Sequence, residues 1–157
     1  MSLFEDNRYQ YRDTFFVFFQ KENRPGLDKI EATLAELGSR YETMKRSEKD
    51  GEFEALTFAS PYDFSAMDIV VVEGEEVRTQ INEMMDEFKR MTLTTDDSKK
   101  IELLNNCTAR FDIFHFEQTD GQTEDEFLDP GGLLLVMQKL SELSDGIALD
   151  PQSHSLL

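Results

Sequence analysis

The sequence predicts an α+β domain, with helices gathered on one face of a mainly antiparallel sheet. Three observations carry this expectation. Phe15 to Phe19 is a continuously apolar run that suits a central strand covered on both sides. Ile69-Val70-Val71-Val72 is β-branched throughout and fits a buried strand better than a helix. Between and after these runs lie apolar stripes spaced by three and four residues, the period of helices with one buried side.

Taken in order, the first strand is expected over Thr14 to Phe19, and Pro25-Gly26 breaks the chain after it. Leu27, Ile30, Leu34 and Leu37 then mark an amphipathic helix that Gly38 terminates. Tyr41 to Ser47 carries Lys45 and Arg46 and reads as an exposed edge strand. Asp50-Gly51 suits a tight hairpin because both residues tolerate positive φ, and the returning strand covers Phe53 to Ala59. After Ile69 to Val72, a helix from about Gly74 buries Val77, Ile81, Met84, Met85, Phe88 and Met91. A helical turn is expected near Lys100 to Asn106, followed by a strand over Arg110 to Glu117. Asp129 and Pro130 suit the N-cap and first turn of a last helix carrying Leu133, Leu134, Met137, Leu140 and Leu143. Ile147 to Leu149 adds a short strand.

This succession describes a two-layer sandwich, best matched by a ferredoxin-like arrangement with an extra strand and a C-terminal helix. A chain of 157 residues suits one domain spanning 1–157, with 1–12 and 151–157 expected as flexible tails. Its 13 Phe supply enough bulky side chain for a core without disulfides or a structural metal.

Composition also bounds function. Cys107 is the single cysteine, so no intrachain disulfide forms, and the first residues lack the basic and apolar pattern of a secretory signal; a cytoplasmic location is expected. No apolar run approaches the ~20 residues of a membrane helix. Sixteen basic residues against 33 acidic give a net charge of -17. Residues 1–50 are nearly balanced, with nine Lys or Arg and ten Asp or Glu, whereas 101–157 hold only Arg110 and Lys139 against eleven acids. Such a field opposes nucleic acid and anionic membranes and favours a basic protein or a cation.

Chemistry-bearing patterns are sparse. Neither a Walker loop nor a Gly-x-Gly-x-x-Gly occurs, and no cofactor is expected. His115 and His154 form no metal pair at helical spacing, and His115 on a Phe-rich strand reads as a hydrogen-bonded or edge imidazole available to a ligand. Asp120, Glu124, Asp125, Glu126 and Asp129 are the candidate cation ligands, although no EF-hand register fits them. Tyr9, Tyr11, Tyr62 and Phe64 are residue types that anchor interfaces. These features predict a non-enzymatic acidic binding or regulatory module that engages a basic protein or cationic ligand, with homodimerisation through the Tyr41 to Ser47 edge as a related option. The alternative is a small metal-dependent enzyme using Asp63, Asp68, Glu73 and the 120–129 carboxylates.

Overall fold

The computed structural model describes residues 3–37, 41–60, 65–118, 131–151 and 155–156. A short 3-10 turn, Leu3–Glu5, precedes β1 (Tyr9–Phe19), α1 (Leu27–Ala35), β2 (Glu42–Lys49), β3 (Glu52–Ser60), β4 (Ser65–Glu73), α2 (Glu75–Phe88), α3 (Thr95–Leu104), β5 (Ala109–Gln118), α4 (Gly131–Ser144) and β6 (Ile147–Asp150). The two-residue β7 (Ser155–Leu156) pairs with β6. The strands form one sheet in the order β2-β3-β4-β5-β1-β6-β7, and every neighbouring pair is antiparallel. The chain is therefore an α+β protein.

Side chains alternate across each strand, so the sheet has two apolar faces. On the front face, Val17 and Phe19 of β1, Met67 and Ile69 of β4 and Phe111 and Ile113 of β5 meet α1 through Leu27, Ile30 and Leu34. The same core takes Leu133, Val136, Met137 and Leu140 of α4. On the back face, Phe18 of β1 and Leu149 of β6 meet Val77, Ile81, Met84 and Phe88 of α2 and Leu104 at the end of α3. The expectation of helices on one face holds for α1 and α4 and is corrected for α2 and α3. An amphipathic stripe dictates that one side of a helix is buried but not which side of the sheet buries it.

One local feature matches expectation, the β2–β3 turn, and one exceeds it, since α3 begins at Thr95 where the sequence predicts only a helical turn near Lys100 to Asn106. The β2–β3 turn has Asp50 at φ 55° and Gly51 at φ 79°, the paired positive angles of a hairpin turn whose twist matches its strands. α3 starts with a reciprocal cap: Thr94 accepts from the Asp97 amide, and the Asp97 carboxylate accepts from the Thr94 amide.

The amino-terminal residues differ from expectation. Instead of a tail, Tyr9 to Phe19 is one long strand paired along its length with β5, from Tyr9 opposite Gln118 to Phe19 opposite Ala109, with a bulge between Tyr11 and Asp13. Leu3 is buried against Ala59, Ala66 and Phe116, which pins the preceding turn to the back face.

Candidate functional site

Among the described residues, the back face is covered at its two ends and only half-buried between them. Cross-strand register arranges its side chains in rows. The first row, Ala59, Ala66, Phe116 and Tyr11, lies under the 3-10 turn. The second is Lys45, Thr57, Asp68, Phe114 and Thr14. The third, Ala55, Val70, Asp112 and Phe16, leads to Arg110 and Phe18 beneath α2. The strip made by the second and third rows combines carboxylates, hydroxyls and aromatic rings.

At one border of the strip stands an aromatic cluster. The Phe4 ring lies 4.8 Å from Phe116 and 5.5 Å from Phe114 in edge-to-face contacts, and 5.4 Å from Tyr11. These are favourable ring geometries, yet Phe4 keeps 56% and Tyr11 44% of its surface in water. The Tyr11 hydroxyl is tied to the Thr14 hydroxyl at 2.5 Å, which fixes the ring's direction. Tyr9 is half-buried in the same cluster, with the Arg8 guanidinium 5.7 Å from its ring centre. Arg8 itself holds the Asp6 carboxylate at 2.8 and 3.1 Å.

The opposite border holds a buried ion pair. Arg110 donates from Nε to Asp112 Oδ1 at 2.5 Å and from Nη2 to Oδ2 at 3.3 Å, while Nη1 donates to the Gln80 side-chain carbonyl on α2. Its guanidinium lies 5.1 Å from the Phe16 ring centre and 3.7 Å from Glu76. Burial pushes the Asp112 carboxyl above its usual value, and the Arg110 hydrogen bonds only partly oppose this.

Over β2, β3 and β4 the strip deepens into a hollow of about 170 Å³. Ala55 and Val70 form its apolar floor, with Lys45, Thr57 and Asp68 as its polar lining. A second cleft, of about 370 Å³, opens on the front face between α1 and the β2–β3 hairpin, where Leu34, Tyr41, Leu56 and Phe58 meet. Glu31 at its rim is held by Arg46 at 2.8 Å.

The chain matches no family model, no curated protein and no solved structure.

Of the sequence candidates, Tyr9 and Tyr11 come together in the aromatic cluster, whereas His115 lies on the other face. Its Nδ1 is 3.1 Å from Asp13 Oδ1, and burial lowers its pKa against the raising influence of Asp13. Cys107 belongs to the back-face core beside α2, and its thiol is pushed up to about 11 by burial. The part of β5 from Ala109 to His115 alone spans about 20 Å, and the two side chains lie on opposite faces of the sheet, so Cys107 and His115 form no catalytic pair. Asp68 and Glu73 also diverge: Asp68 accepts from the Thr57 hydroxyl on the back face, while Glu73 pairs with Arg24 at 3.0 Å. Tyr62, Phe64, Asp63, Asp120, Glu124, Asp125, Glu126, Asp129 and His154 lie outside the described residues. Among the described residues no three His, Cys, Asp or Glu side chains converge as metal ligands.

Sequence reasoning missed Phe4, Phe114 and the Arg110–Asp112 pair. Arg110 and Asp112 share a face at spacing two on a strand, a detectable signal once the strand is assumed. Phe4 has no comparable signal, because only the fold carries it onto Phe114 and Phe116.

Proposed function

We propose that this protein is a non-enzymatic acidic binding module that engages a basic protein partner through the open part of the back face. The observation that supports it is the Phe4–Tyr11 patch: two large aromatic side chains held in place by ring contacts yet left in water at the edge of the sheet's back face. Aromatic anchors of this kind contribute disproportionately to interfaces. The charge of the partner follows from how the cations are used. Arg8, Arg12, Arg24, Arg46 and Arg110 are each paired with carboxylates, and Arg78 donates to the Asn105 and Cys107 carbonyls. Internal pairing consumes these arginines, and the net charge of -17 favours a positively charged surface.

The framework behind this surface is read as a ferredoxin-like core of β1, α1, β4, β5, α4 and β6. In that reading the β2–β3 hairpin and the α2–α3 pair are additions, and it is the latter that leaves the back face partly covered. Pairing of two copies through β2 has less support, since its two register shifts and the edge residues Lys45 and Lys49 are features that discourage strand addition.

The test is fluorescence anisotropy with a labelled lysine-rich peptide containing one aromatic residue, at salt from about 50 to 300 mM. Affinity is expected to fall steeply with salt and to be lost in the Phe4→Ser, Tyr11→Ser double variant. Salt-independent binding, or equal binding by the double variant, contradicts the proposal.

A further inference from the structure

We propose that the hollow over β2, β3 and β4 on the back face is a binding site for a small α-amino acid, recognised as a zwitterion through Lys45 and Asp68. The inference goes beyond the partner-binding reading and does not depend on it.

Register places Lys45, Thr57 and Asp68 side by side on three successive strands, so Lys45 and Asp68 stand two strand spacings apart, about 10 Å between backbones. Both line the same hollow, and they do not pair with each other. Asp68 Oδ1 accepts from the Thr57 hydroxyl, while its Oδ2 has no protein donor among the described residues. Lys45 has no carboxylate partner among the described residues. The third charged side chain of the lining, Arg46, is drawn to Asp28 and Glu31 on the other side. Ser47 is likewise engaged, donating to Glu54 at 2.6 Å. One cation and one anion with spare capacity thus face each other across a hydroxyl that still has acceptor lone pairs.

A ligand carrying only a cation satisfies Asp68 and meets Lys45 as a like charge. One carrying only an anion satisfies Lys45 but meets both Asp68 and the negative field of the whole protein. A zwitterion avoids both penalties: its ammonium donates to Asp68 Oδ2 and Thr57 Oγ1, and its carboxylate accepts from Lys45 Nζ. Volume sets the size class. At about 170 Å³ the hollow is smaller than an ordinary ligand pocket, which limits its occupant to a small amino acid such as alanine. Its methyl group rests on Ala55 and Val70. A hollow this small and open predicts a dissociation constant on the order of a millimolar.

The experiment is an amide-resolved NMR titration of the full chain with alanine, acetate and ethylammonium as separate probes at equal ionic strength. Alanine is expected to give saturable shifts confined to β2, β3 and β4, and the two single-charge probes none that saturate. Asp68→Asn keeps an acceptor for Thr57, and Lys45→Met keeps the aliphatic stem; each is expected to weaken alanine on the order of tenfold or more. Equal responses to all three probes, absence of a saturable alanine response, or unaltered binding by both variants overturns the proposal. Should a variant lose its native spectrum, the three-probe comparison on the wild-type chain decides alone. The lysine-rich peptide titration reads the partner proposal separately, since it depends on Phe4 and Tyr11.

Discussion

Breaking the Arg110–Asp112 pair is expected to be among the most damaging polar changes in this protein. Arg110 is 8% and Asp112 7% exposed, and the two share a bidentate contact inside the junction of β5 with α2. Removing one partner from such a pair leaves a buried charge without its counterion, which costs about 3–5 kcal/mol. For a chain of this size that corresponds to a fall in Tm of roughly 6–20 °C in Asp112→Ala. Replacing both, as Arg110→Met with Asp112→Leu, removes the desolvation cost together with the attraction. It should return stability to within about 1 kcal/mol of wild type or above it. Urea unfolding followed by circular dichroism measures the four corners of this cycle. The pH dependence gives an independent readout. The folded-state pKa of Asp112 lies above the unfolded value of 3.8, so the folded state binds the proton more tightly. The stability linked to this carboxyl is full below 3.8 and declines as pH rises through the folded value. Arg110→Met removes the lowering influence of the guanidinium, so the decline should steepen. Additive losses in the double variant, or single variants costing under about 1 kcal/mol, would refute the reasoning.

Three further outcomes are expected. His115 has its pKa lowered by burial, so its contribution to stability is present above 6.5 and lost as pH falls from there through the folded value. His115→Gln should flatten that part of the stability profile, and Asp13→Asn should lower the imidazole pKa further in an NMR titration, since Asp13 raises it. Cys107, raised to about 11 and buried, should resist aromatic disulfide reagents in the native state at about pH 8 and react fully in urea. Gly146→Ala places a Cβ against the Phe18 carbonyl oxygen, 2.9 Å from Ser144 Oγ and 3.1 Å from Val17 Cγ1, and should cost about 1–3 kcal/mol. Asp145→Gly, at the adjoining residue with φ 51°, serves as the control and should leave thermal stability unchanged or slightly raised.

Much of the fold is legible in the residues because the signals are local. The Phe15 to Phe19 run, the Asp50-Gly51 turn and the Leu27, Ile30, Leu34 stripe each specify their element with little help from elsewhere. Tyr9 to Asp13 escapes such reading because its composition is polar, and only β5 supplies the hydrogen bonds that make it a strand. The side of the sheet taken by α2 is equally nonlocal, decided by Phe18 and Leu149 facing away from α1 and α4. The candidate site is less legible still. Lys45 reads only as an edge-strand cation and Asp68 only as one carboxylate among several, and with Thr57 they become neighbours only through the register of three strands.

The position of β1 also bears on how the molecule comes into being. It is wedged between β5 and β6, so its partners are made about a hundred residues after it. At about 5–20 residues per second, a nascent β1 waits roughly 5 to 20 s with its row of phenylalanines unsheltered before β5 leaves the ribosome. The β2–β4 meander, whose contacts are sequential, can close in the meantime. The interval before β5 emerges is therefore when these phenylalanines lack the neighbours that bury them in the finished sheet.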